Sequence, residues 1–221
     1  MVTNTALRTQ AREALRGQWG TGVAATLIFW LIAFVAQTPN YLSDFMEYVL
    51  YASADTLLTL RYVSLCLLLL ILPLSWGYAT LFLRNLRGEP VGVENLFDGY
   101  RSFSRIFTTY LLQCIYVMLW SLLLIVPGIV KALSYAMTPF VLLDEPTLSK
   151  NAAIERSMAM MQGYKAKLFV LYLSFIGWGL LCILTCGIGT LWLYPYMYTA
   201  QAAFYEDVRR DYEQRQLTAQ D

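Results

Sequence analysis

Residues 122–146, LLLIVPGIVKALSYAMTPFVLLDEP, hold one lysine and three prolines, two of them, Pro127 and Pro139, inside an apolar run. The run belongs to a longer one, because the chain stays largely apolar from Ile106 to Leu143. As a single helix that length would reach roughly 57 Å, nearly twice the ~30 Å hydrocarbon core of a bilayer. Two antiparallel segments fit it if the chain turns near Pro127 and Gly128. Proline stops the incoming helix and glycine permits a tight reversal. This hairpin sets one crossing at about 106–126 and the next at about 129–143. Lys131 then falls about one turn past the bend, close to the outer head groups, where its amine snorkels to water.

Working outward, similar runs predict crossings at about 20–37, 62–83, 168–186 and 189–205. Pro73 is placed to kink the second, and CGIG at 186–189 makes a glycine turn. Polar amphipathic stretches separate the pairs. Residues 4–18 put Arg8, Arg12 and Arg16 on one flank and Leu7, Ala11, Ala14 and Leu15 on the adjacent arc. Such a helix lies in the membrane interface with its arginines toward anionic head groups, and Trp19 anchors the crossing that follows. Residues 89–105 carry a helical stripe of Leu96, Phe97, Tyr100 and Phe103 that continues to Phe107. Residues 149–163 form a third interfacial helix, N-capped by Ser149, with Ile154, Met158 and Met161 on its apolar face. Residues 38–61, with Asp44, Glu47 and Asp55, are expected along the outer surface, and 206–221 as a polar cytoplasmic tail.

The predicted fold is therefore all-α and membrane-embedded, a single domain over residues 1–221. About six transmembrane helices form three hairpins, each preceded by an interfacial amphipathic helix. The junctions LRGQWGTG, FDGYRSFS and MQGYKAKL resemble one another. So do the sets Pro73, Ala79, Leu83; Pro127, Ala136, Phe140; and Pro195, Ala200, Phe204. A threefold internal repeat is one reading. The other is that any membrane hairpin uses a glycine, a proline and interface aromatics.

Composition agrees with this class. The chain is 58% hydrophobic and 14% charged, against about half and a quarter in soluble domains. The short alternating segments of a membrane β-barrel are absent from the sequence. A net charge of +1 gives no footprint for nucleic acid. The chain has no histidine, which removes the commonest metal ligand and the usual base near neutral pH. Cys66, Cys114, Cys182 and Cys186 all stand in apolar runs and read as small buried residues. No nucleophile–base pair, phosphate loop or metal cluster is present in the sequence pattern. We expect no cofactor, no metal and no catalytic residue. The N-terminal segment reads as polar and helical, and the first apolar run as a retained anchor. Of the sixteen lysines and arginines, all but Arg61 and Lys131 fall on the side of the termini. The positive-inside rule then places both termini in the cytoplasm.

The stretch from LLLIVPGIVKALSYAMTPFVLLDEPTLSKNAAIERSMAMMQGYKAKLFVLYLSFIGWGLL through GIGTLWLYPYMYTAQAAFYEDV resembles the bacterial integral membrane proteins of the DUF975 family. ALRTQAREALRGQWG at the N-terminus is also similar. More distantly, the family is similar to membrane domains attached to glycerophosphodiester phosphodiesterases. The resemblance implies a bacterial inner membrane. It implies no activity and no functional residues.

Two functional readings follow. In the first the protein is non-enzymatic and binds membrane lipids or a membrane-protein partner at its cytoplasmic face. Arg8, Arg12, Arg16 and Lys131 are the candidate contacts, and each exposed base contributes about 1 kcal/mol toward anionic head groups. Pro127, Gly128, Gly177 and Gly179 are candidates for helix packing or turns. Gln113, deep in the third segment, is expected to form an interhelical hydrogen bond. In the second reading the protein is a small transporter for a hydrophobic or weakly polar solute, with broken helices at Pro73, Pro127, Pro139 and Pro195. The sequence names no oligomeric state.

Overall fold

Thr3 opens the first helix, α1 (Asn4–Ala14), with an extended backbone and a hydroxyl that accepts from the Ala6 amide at 3.3 Å. The protein is described by a computed structural model covering residues 2–51, 53–148 and 150–218, without the side chain of Lys150. Leu7, Ala11 and Leu15 recur every fourth residue along α1 and are fully buried. They pack against the C-terminal helix α12 (Thr190–Thr218) and against α4 (Leu72–Leu86). The apolar arc expected to face lipid is thus consumed inside the protein, and α1 presents only its charged flank outward.

The helix α2 (Trp19–Val49) runs for 31 residues, straight through Pro39. At 1.5 Å per residue it is roughly 46 Å long. It pairs with α3 (Ala54–Leu70). Residues 38–61 therefore do not form a separate surface helix. They are the far ends of α2 and α3 and continue the first hairpin. The two arms are tied by Ser64 Oγ donating to the Ala36 carbonyl at 3.2 Å and by Arg61 to Glu47 at 2.7 Å. Pro39 removes one backbone donor without ending the helix.

The helix axis breaks at Ile71, two residues before Pro73, which then starts α4 where no backbone donor is needed. Residues 76–83 of α4 are all buried, so α4 is the central element. The stretch expected as one interfacial helix over 89–105 is instead broken. A 3-10 turn at Val93–Phe97 and the short α5 (Asp98–Arg101) dock onto α4, and the chain bends at Ser102. The close approach explains the break. A Cβ on Gly77 would lie 2.6 Å from the Leu96 carbonyl carbon. The aromatic stripe still forms a ladder: Phe97, Tyr100, Phe103 and Phe107 stack in sequence at 6.3, 6.3 and 5.0 Å.

The central hairpin consists of α6 (Phe103–Leu123), α7 (Ile125–Tyr135) and α8 (Thr138–Asp144). Its reversal is at Leu124, which is extended (φ −161°, ψ 145°), three residues before the expected Pro127. Pro127 sits in the first turn of α7, where its missing N–H costs nothing. Gly128 lies where the arms touch, since a Cβ there would come 2.9 Å from the Ser121 Cα. Next, α9 (Lys150–Met160) packs on all three helices of this hairpin. Ser157 Oγ donates to the Ser134 carbonyl at 2.8 Å and accepts from the Met137 amide at 3.2 Å. The expected cap, Ser149, lies outside the described residues.

The third hairpin is α10 (Lys165–Leu173), α11 (Ile176–Leu184) and α12. Pro195 lies inside α12, which continues to Thr218. Residues 206–218 of the expected polar tail are helical, and Asp207 and Val208 are buried against the rest of the fold. Among the described residues, five helical stretches are long and apolar enough to cross a membrane: Trp19–Val49, Ala54–Leu86, Phe103–Leu123, Ile125–Asp144 and Lys165–Leu184. The chain is an all-helical, multi-pass membrane protein, and α12 does not belong to that apolar set. Leu83, Phe140 and Phe204, the matching positions of the suspected repeat, are fully buried in one core. Gly17 and Gly163 occupy the same place before the first and third hairpins, with φ of +88° and +83°. Gly99, before the second, is helical, so that unit departs from the other two.

Candidate functional site: a tryptophan-lined cavity and an acidic hub

Gly17 turns the chain between α1 and α2 and brings the charged flank of α1 beside the third hairpin. There a cavity of about 630 Å³ opens between the two. Its walls are Arg12 from α1, Trp19 from α2, Trp178, Leu181 and Cys182 from α11, and Trp192, Leu193 and Tyr196 from α12. Thr185 and Gly189, from the turn between α11 and α12, close it. The size is that of an ordinary small-ligand pocket. The walls are apolar apart from Arg12, which makes no ion pair among the described residues. Of the three arginines singled out in the sequence, only Arg12 lines this cavity; Arg16 is exposed and Arg8 half-buried. Such a lining suits an amphiphile with an apolar body and one negative charge.

A second cluster was missed in the sequence. Asp144, at the end of α8, accepts from Arg87 through both carboxylate oxygens, at 2.6 and 2.7 Å. It also accepts from Arg209 at 2.7 Å and from the Tyr205 hydroxyl at 2.8 Å. Arg87 reaches Glu206 at 2.7 Å, and Arg209 reaches Glu213 at 2.8 Å. The bonds to Asp144 hold the Arg87 guanidinium above its ordinary pKa. Each cation here meets an acid, so the hub clamps α4, α8 and α12 rather than offering charge to a ligand. Only the acidic end of LLDEP hinted at it.

Lys131 is not set apart at the outer face. Its ammonium sits 4.8 Å from the centre of the Trp120 ring and 4.0 Å from the sulfur of Met158 on α9. Lys131 and α9 therefore share one level, whereas the sequence placed them on opposite faces. The cause is that α9 leans into the central hairpin instead of lying beneath it. The Gln113 side-chain oxygen is buried without a hydrogen-bond partner among the described residues, so the expected interhelical bond to it is absent there. A Cβ on Gly177 or Gly179 would meet nothing within 4 Å, so no contact within the described chain requires them.

Nothing among curated proteins or solved structures matches the chain. A model of one family, described as a protein of unknown function (DUF975), matches residues 1–134 and 122–212. With nearly its whole length covered, the chain belongs to the DUF975 family.

Proposed function

We propose that this protein is a non-enzymatic component of a bacterial inner membrane that binds an anionic phospholipid in the cavity beside Arg12. The observation that carries the reading is a cation without an ion pair among the described residues, on an apolar wall containing three tryptophans. Tryptophan suits the boundary between head groups and acyl chains. Arg12 supplies the charge for a phosphate, and Leu181 and Leu193 supply surface for a chain. The basic ends of the helices, including Arg8 and Arg16, lie on the cytoplasmic side with both termini and add a diffuse attraction for anionic lipid.

Native mass spectrometry tests this on the purified protein given equal amounts of phosphatidylglycerol and phosphatidylcholine. The expected result is stoichiometric retention of phosphatidylglycerol, reduced severalfold by Arg12→Glu and little changed by Arg16→Glu. Equal retention by Arg12→Glu and the wild type would remove the site.

A further inference from the structure

The turn between α11 and α12 meets its backbone donors from within. Every backbone N–H from Thr185 to Leu193 donates to an acceptor between Cys182 and Gly189. The Thr185 hydroxyl donates to the Cys182 carbonyl at 2.9 Å, and the Thr190 hydroxyl to that of Gly187. The side chains around this closed turn are apolar and bare: Ile183 is 71%, Leu184 80% and Ile188 61% exposed. No charged residue occurs between Lys167 and Glu206. In water such a turn gains little from saturating its own donors. In hydrocarbon it must do so, because each unsatisfied group costs several kcal/mol.

The height of the turn follows from contacts. A Cβ on Gly22 of α2 would lie 3.2 Å from Pro195 Cβ, so the two helices touch there. From Pro195 to the first residue of α12 is about 8 Å of helix, and the turn adds about one helical pitch, ~5 Å. The tip is thus within about 13 Å of the contact, whatever the crossing angle. Gly22 itself is only about 6 Å of helix beyond Gln18. Just before it stand Arg12, Glu13 and Arg16, all exposed, which must stay in water or head groups. The tip therefore reaches no more than about 20 Å beyond that charged rim, against the ~30 Å of hydrocarbon. The cavity agrees, since it touches both Arg12 and the turn residues Thr185 and Gly189. The length of Lys165–Leu184 does not oppose this. Its first part is used below the rim, where Lys167 approaches Asp207 at 3.7 Å and Leu168 and Leu171 are buried.

We infer that the third hairpin is re-entrant: its turn ends inside the bilayer, covered by acyl chains, and both arms return to the side of the termini. The first hairpin differs. From Gly22 to Val49 it extends about 40 Å and ends in Asp44, Glu47 and Asp55. The inference is independent of whether the cavity holds lipid.

Cys186, exposed in the turn, is a native reporter. A nitroxide is attached to it in full-length protein carrying Cys66→Ser, Cys114→Ser and Cys182→Ala, reconstituted in phosphatidylcholine–phosphatidylglycerol vesicles. Collision with oxygen and with a water-soluble nickel chelate reads its depth. The expected result is high oxygen access and nickel access severalfold below that of a label at Ser53→Cys, beside the first hairpin's tip. Leu184→Cys, which removes no core contact, gives the same result in an otherwise cysteine-free chain. Nickel access at Cys186 equal to that at Ser53→Cys would overturn the inference, whichever side of the membrane the turn then occupied.

Discussion

Arg87 and Asp144 are joined by two parallel hydrogen bonds of 2.6 and 2.7 Å, with the carboxylate only 9% exposed. This pair fastens the end of α4 to the end of α8, and Arg209 brings in α12 through the same carboxylate. Removing Asp144 leaves Arg87 with Glu206 alone and Arg209 with Glu213 alone, and takes away the acceptor of the Tyr205 hydroxyl. Asp144→Ala should cost about 2–4 kcal/mol, between the values for exposed and fully buried pairs. Thermal unfolding in detergent reads this directly. Arg61→Ala, which breaks an exposed pair, is the comparison and should shift stability by less than about 1 kcal/mol.

Glycine substitutions separate close packing from open surface. Gly77→Ala forces a methyl group against the backbone of Leu96 and should cost about 1–3 kcal/mol or more. Gly177→Ala meets nothing and should stabilise by up to about 1 kcal/mol through helix propensity. Equal effects of the two in the same unfolding assay would contradict the docking of the 3-10 turn on α4.

The two junction glycines should behave alike. Gly17→Ala and Gly163→Ala create no clash, but each places a Cβ in the left-handed region. The expected cost is about 1–2 kcal/mol in each case. A large cost at one and none at the other would remove this likeness between the first and third units.

Lys131 carries a charge inside an apolar hairpin, balanced by the face of Trp120. Lys131→Leu loses a cation–π contact of about 0.5–2 kcal/mol but also the desolvation of an ammonium. Its net effect should stay within about 1 kcal/mol of the wild type. Lys131→Glu brings an anion to the negative ring face and should be clearly worse. If both substitutions destabilise equally, the ring is not what holds the ammonium.

Much of the helix layout was legible because a hydrocarbon core demands long apolar runs, and such runs stand out along a chain. The periodicity of Leu7, Ala11 and Leu15 was equally plain. What that stripe would face was not, since lipid and α12 are equally apolar to a pattern of residues. The turn at Leu124 was masked by Pro127, which fits a first helical turn as well as a last one. Asp144 lies 57 residues from Arg87 and 65 from Arg209, and no local signal connects such positions. The cavity likewise joins Arg12 to residues some 170 positions later. In both places the sequence supplied the parts, and tertiary packing alone chose their neighbours.

The far half of the first hairpin holds itself together. Its bonds run within or between its two arms, as at Ser64 and Ala36 or Arg61 and Glu47, and its outer faces carry bare Phe34, Tyr48 and Leu58. That independence makes it a ready-made handle. A rigid helical domain spliced in after Leu50 would extend an existing two-helix stalk, leave the α4 core untouched, and give a 25.2 kDa protein the mass and asymmetry needed for particle alignment in electron microscopy.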